Sequence, residues 1–330
     1  MIIQTLAVII TVLLIFTNGM TDAPNAIATL IGSKVMSYKK ASIISAIFNF
    51  IGIIIMSFVN ISVADCISGM INVSDGINGI LVLITAMLSV IIFALVAMQF
   101  GIPTSETHGL VAGLTGSAIA VYGINAVNGK QWISVAVGLV WSILGTFILS
   151  IIFGIINKKV LHNIKDKTIG KFQILGMCAM SFMRGAQDGQ KFIGILIIYN
   201  YIVKGLAVPQ YIVPMEHIYT IVFVAAVMFI GVSIGGKKIV ENIGSNVTEL
   251  SQKQALSSDI TTSITLLLAS LNGLPVSTTH VKTMSIIGVG VANKKSVSKK
   301  AAIDIIKAWI LTFPVCIVLA YVLAKIFTIF

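Results

Sequence analysis

The stretch TNGMTDAPNAIATLIGS, Thr17 to Ser33, follows the apolar run Ile2 to Phe16, and the way the two join decides the fold. At 1.5 Å per residue, Ile2 to Phe16 reaches only about 22 Å as a helix, short of the roughly 30 Å of hydrocarbon that a span must cross. Asn18, Asp22 and Asn25, with the helix breakers Gly19 and Pro24, therefore fall where the bilayer interior would be. Irregular backbone at that depth is tolerated only where protein or a water-filled cavity surrounds its unpaired N–H and C=O groups. The expectation is a broken helix that supplies ligands to a site. Gly19 ends one half, Pro24 fits the first turn of the next, and Asp22 caps it, with the positive end of the half-helix aimed at the site.

Composition places the whole chain in the same environment. Of 330 residues, 57% are hydrophobic and 10% charged, and the mean hydropathy is +1.03; a soluble domain of this size does not look like this. The polar intervals, about 157–171 and 236–259, are too short to bury a core of their own, so function lies within the membrane region. The net charge of +11 sits in short Lys-rich loops between apolar runs, which is the positive-inside bias and no sign of nucleic acid. Cys66, Cys178 and Cys316 are scattered, without metal or disulfide spacing. The N-terminus shows neither a basic n-region nor an A-x-A cleavage site, so Ile2 to Phe16 is expected to stay in the mature chain.

Ordinary spans are expected near 41–60, 78–98, 131–157, 215–235 and 303–329. The remaining membrane-like segments are interrupted, and the interruptions come in pairs. GMTDAPNAIATL (19–30) matches GAQDGQKFIGIL (185–196) with Asp22 on Asp188, an offset of 166; GIPTSETHGLVAGL (101–114) matches GLPVSTTHVKTMSI (273–286) with His108 on His280, an offset of 172. Two motifs recurring in one order at nearly one offset mark an internal duplication. If the Lys-rich intervals 34–40, 158–171, 237–253 and 294–300 are all cytoplasmic, each half makes an odd number of crossings. The second half is then upside down relative to the first. The expected fold is an all-α integral membrane protein of about 10 transmembrane segments, in two inverted-topology repeats with broken helices and re-entrant hairpins. The repeats are 1–157 and 171–330, joined by a cytoplasmic linker over 158–170.

Helix N-termini and hydroxyl groups suit an oxyanion, which offers many acceptors and wants donors. Thr104, Ser105 and Thr107 in the first half, and Ser277, Thr278 and Thr279 in the second, form a dense hydroxyl set just after a Gly-x-Pro. Asp22, Asn25 and Asp188 are oxygen ligands suited to a hard monovalent cation such as Na+, or to a proton. Anion donors beside cation acceptors are what coupled uptake of an anion with Na+ or H+ requires. His108 and His280 are either braces of a turn or a proton relay. Glu106, unmatched in the second half, is a private partner or a coupling carboxylate, and Lys282 and Lys307 are read as snorkelling residues.

At GMTDAPNA (19–26), GAQDGQK (185–191) and the two PTSxTH-like elements, the chain resembles the inorganic phosphate transporter (PiT) family over nearly its whole length. The resemblance implies inorganic phosphate as substrate, cation-coupled transport, an inverted-repeat fold and a homodimer in the plasma membrane. It carries Asp22 and Asn25 over as signature residues of the first half and Asp188 as that of the second. The chain departs from the pattern at Lys191, where a second Asn is expected; the Lys191 ammonium either replaces a cation or contacts phosphate, with Gln187 beside it and Arg184 adding positive charge. No organic cofactor is implied, and Na+ enters only as a coupling ion.

Four other readings fit less well. A carrier of another oxyanion such as sulfate shares the donor chemistry. A channel would need a continuous polar path, and the polar groups here cluster at two related sites. An intramembrane enzyme could use Asp22 and Asp188 as a pair, yet catalysis rarely needs two equivalent halves. An ATP-driven pump lacks its Walker-type loop.

Overall fold

The computed structural model describes residues 2–33, 35–73, 76–99, 105–235, 250–295, 297 and 299–329. Among them the chain is helical: α1 (Ile2–Gly32), α2 (Tyr38–Val59), α3 (Ser62–Ser68), α4 (Ile77–Gln99), α5 (Glu106–Tyr122), α6 (Gly129–Val140), α7 (Thr146–Val160), α8 (Asp166–Lys204), α9 (Ile218–Ile234), α10 (Gln252–Leu271), α11 (Thr278–Ala292) and α12 (Lys299–Ile329). A π-helical turn over Trp141–Gly145 joins α6 to α7 and brings the Trp141 indole N–H to the Thr265 carbonyl of α10 at 3.2 Å. Among the described residues six helical stretches are long and apolar enough to cross a membrane, within α1, α2, α4, α6 with α7, α9 and α12. These are the five ordinary spans expected from sequence plus the N-terminal helix.

The opening stretch behaves differently from its expectation. α1 is one helix of 31 residues that runs through Pro24 without a break, and α8 is likewise continuous over 39 residues. In hydrocarbon a helix pairs its own backbone, so losing the single donor at Pro24 costs less than an irregular segment with several orphaned groups. A hydroxyl that competes with the backbone folds back onto the helix instead: Thr17 donates to the Leu13 carbonyl at 2.8 Å. The signature residues of both halves thus sit on the faces of long helices.

Irregular backbone lies at the other duplicated motif. α10 ends at Leu271, Gly273 turns the chain with φ +64°, and α11 starts at Thr278. Of the matching first-half turn, Gly101 to Thr104 lie outside the described residues, and α5 starts at Glu106. α11, at 15 residues, spans about 22 Å, less than the hydrocarbon thickness.

Packing follows the duplication. α1 lies on α9 and α8 on α2; α5 lies on α12 and α11 on α7; α1 meets α8, and α2 meets α9. Glycines at duplicated positions permit the close approaches. A Cβ at Gly19 would stand 2.9 Å from the Met228 carbonyl of α9, and one at Gly185 only 2.1 Å from the Asn49 carbonyl of α2. Gly116 and Gly288, 172 apart like the histidines, do the same against the carbonyls of Ile317 at 2.2 Å and Phe147 at 2.8 Å.

Candidate substrate and ion site

The period of α8 explains how the site is presented. Arg184, Gln187, Asp188 and Lys191 fall at i, i+3, i+4 and i+7, one face of a helix, and all four are buried. This face meets the N-terminal ends of α5 and α11. Ser105 and Ser277 cap those ends, each side-chain oxygen accepting from the backbone N–H three residues on, of His108 at 3.2 Å and His280 at 3.3 Å. The two capped ends leave their remaining first-turn N–H groups and positive dipole ends at the centre of the protein.

Charges and hydroxyls interlock there. The Lys191 Nζ donates to Asp188 Oδ1 at 2.8 Å, to Thr107 Oγ1 at 2.7 Å and to the Val276 carbonyl at 2.7 Å. Thr107 in turn donates to the same carbonyl at 3.3 Å, and Thr278 donates to Asp188 Oδ2 at 3.3 Å. Arg184 Nε lies 3.4 Å from Asp188 Oδ2, a charge contact without hydrogen-bond geometry. Its Nη2 donates to the Asn18 carbonyl of α1 at 3.2 Å, while Nε and Nη1 find no hydrogen-bond partner among the described residues. A fully buried guanidinium with unused donors is suited to an anion.

α1 closes the other side. Asn25 Nδ2 donates to Thr279 Oγ1 at 3.1 Å, across the two halves. Thr21 donates to Glu106 Oε1 at 2.7 Å, so the unmatched Glu106 ties the first turn of α5 to α1, where a carboxylate also suits the helix dipole. Asp22 lies within α1, but its side chain, like the whole of Thr104, is outside the described residues. Gln187 serves the hairpin: its amide donates to Ser270 Oγ at 3.0 Å and the Leu274 carbonyl at 3.3 Å, and its carbonyl accepts from Val276 N–H at 3.4 Å. It holds the loop that carries the Val276 carbonyl.

His108 and His280 meet at the same centre, ring centroids 4.7 Å apart. His108 stacks on Phe313 and His280 lies against Trp309. Neither ring has a hydrogen-bond partner among the described residues, and aromatic packing holds both.

One cluster escaped the sequence reading. Lys282 does not snorkel. It is 1% exposed and pairs with the buried Asp259 of α10, whose oxygens also accept from Thr29 of α1 at 3.1 and 3.3 Å. The signal was present, because Asp259 is the one acidic residue between Gln254 and Ala292 and an intramembrane lysine needs a carboxylate. Lys307, by contrast, is exposed.

Comparison with known proteins follows the same lines. The profile of the Phosphate transporter family matches twice, over residues 18–169 and 161–320. A probable low-affinity inorganic phosphate transporter of Bacillus subtilis is 30% identical, covering 91% of this chain and 90% of its own length. A protein of the same description from Rhizobium meliloti is 31% identical, with 91% and 89% covered. A solved structure described as the sodium-dependent phosphate transporter superposes with a TM-score of 0.87 over 100% of both chains at 22% identity, a likeness of fold. With relatives that are transporters and no enzyme among these, and with several helices of membrane-spanning length, this multi-pass protein of the plasma membrane belongs to the phosphate transporter family, for which phosphate is the substrate.

Proposed function

We propose that the chain takes up inorganic phosphate by symport with a cation, Na+ or H+, through alternating access of two inverted repeats, 1–157 and 171–330, linked by 158–170. The observation that carries this reading is the meeting of both capped helix ends, α5 and α11, on the charged face of α8. The reciprocal packing of α1 on α9 and α8 on α2, and of α5 on α12 and α11 on α7, supports a pseudo-twofold relation. About ten segments result when the α4–α5 and α10–α11 pairs are counted with the six long spans. In this reading the unused donors of Arg184 and the first-turn N–H groups of α5 and α11 receive phosphate, with the hydroxyls of Thr104, Ser105, Thr107, Ser277, Thr278 and Thr279 as its further donors. Asp22 and Asn25 hold the coupling ion, with Asp188 the matching carboxylate of the second half, and the solved structure of like fold, described as sodium-dependent, favours Na+. One repeat then moves against the other about this fixed site, and the protein acts as a homodimer.

The test is uptake of radiolabelled phosphate into proteoliposomes under a Na+ gradient and, separately, a pH gradient, with sulfate as competitor. Uptake driven by one gradient, resistant to sulfate and lost in Asp22→Asn and Asp188→Asn, is the expected result. Folded protein that accumulates no phosphate under either gradient overturns it.

A further inference from the structure

We propose that the Lys191 ammonium is a resident cation, occupying in the second half a site that in the first half is left for an ion from solution. The inference rests on the symport reading and concerns how many ions that symport takes. The duplication places Lys191 opposite Asn25, since 25 + 166 = 191, as it places Asp188 opposite Asp22. One half therefore carries a neutral carboxamide where the other carries a tethered positive charge.

The surroundings of the ammonium are those of a cation site. Its three neighbours are a carboxylate oxygen of Asp188 at 2.8 Å, a hydroxyl of Thr107 at 2.7 Å and a backbone carbonyl of Val276 at 2.7 Å. That is an all-oxygen set of the kinds that bind hard cations. The ligands come from three places, the middle of α8, the first turn of α5 and the loop before α11, so the charge sits where the two halves converge. Lys191 and Asp188 are each 2% exposed, and a buried charge of either sign needs such partners. An ammonium has three donors. All three are taken by protein oxygens, and none is left to contact phosphate, which separates the two roles that the sequence left open for this residue.

A chain with its cation built into one half takes one fewer ion from solution per phosphate. Replacing Lys191 by Asn restores the carboxamide of the first half and leaves Asp188, Thr107 and Val276 to an external ion. Lys191→Ala leaves the same three oxygens with space in place of the ammonium.

Matched uptake of labelled phosphate and of the coupling ion, 22Na+ or protons by a trapped pH dye, measures the ratio in proteoliposomes. Lys191→Asn is expected to raise the ratio of cation to phosphate by one and to steepen the dependence of uptake on cation concentration. An unchanged ratio with uptake retained overturns the proposal, and a tenfold rise in KM for phosphate at that unchanged ratio assigns Lys191 to the anion instead. Wild-type protein that takes up no phosphate under either gradient sinks the symport reading itself, a separate outcome. A second measurement covers variants that do not transport: the Tm of wild type, Lys191→Asn and Lys191→Ala in nanodiscs with Na+, K+, methylammonium or choline. Both variants are expected to show a cation-dependent rise in Tm beyond that of wild type, absent in choline. Variants that respond no more than wild type, or that fail to fold in every cation, overturn the proposal, because an external ion then cannot stand in for the ammonium.

Discussion

Gly185→Ala asks whether the contact between α2 and α8 is as close as the structure makes it. An alanine Cβ there would lie 2.1 Å from the Asn49 carbonyl oxygen, with the Asn49 carbonyl carbon at 2.9 Å and Cα at 3.0 Å. Ordinary contact begins near 3.4 Å, so the helices must separate by about 3.4 − 2.1 = 1.3 Å. All three obstacles are backbone, and no side chain can rotate out of the way. Overpacking of this kind costs about 1–3 kcal/mol, here near the upper end. Alanine's better helix propensity returns about 1 kcal/mol, leaving a net loss of about 2 kcal/mol, or roughly thirtyfold in the unfolding equilibrium. Gly170→Ala on the same helix is the control: its Cβ would meet only the Val35 methyls at 3.5 Å and beyond, so it should gain about 0.5–1 kcal/mol. Gly19→Ala, the duplicate of Gly185, faces a carbonyl at 2.9 Å and should fall between them. Reversible unfolding in mixed detergent micelles gives the three values. Gly185→Ala at or above wild-type stability, or Gly170→Ala losing as much as Gly185→Ala, would refute the reasoning.

Two further expectations concern buried and half-buried charge. Lys282→Met and Asp259→Leu should each cost about 3–5 kcal/mol, because each leaves its partner's charge buried alone, while the double substitution should return to within about 1 kcal/mol of wild type; losses that simply add in the same unfolding assay would show that the pair is not coupled. Asp65, in α3 outside the spans, accepts from Ile212 N–H at 2.7 Å, and burial raises its carboxyl above 3.8 more than that bond lowers it. The folded chain therefore holds the proton after the unfolded chain has lost it, so this residue's contribution is present at acid pH and lost as pH rises through the raised value. Asp65→Asn keeps the acceptor and should remove that slope from a pH series of unfolding midpoints; an unaltered slope would show that the group is not perturbed in the fold.

Much of this protein was legible in its residues. Hydropathy gave the membrane class and five of the six long spans, because burial of apolar surface in lipid is a property of composition and length. The duplication was legible because motif pairs at offsets of 166 and 172 need no structure to be seen. The candidate site was legible as residue types: Arg184, Asp188 and Lys191 share one helix face by spacing alone. What the sequence could not decide is which irregularity becomes a break. Gly19 and Pro24 resemble helix breakers, yet α1 runs through them, since a helix in a low-dielectric core keeps every backbone bond it can. The turn after α10 does break, because Gln187 of α8 supplies, from 87 to 89 residues away by sequence, the partners that its backbone lacks. Pairing across such distances was equally out of reach. That Lys282 meets Asp259, that Thr21 meets Glu106, and that the three donors of Lys191 are all spent on protein oxygens depend on helices packing from opposite ends of the chain. Composition and spacing determined which groups enter the membrane; only the packing, by setting distances of a few ångströms, decided which charges neutralise one another and which donors remain for a ligand.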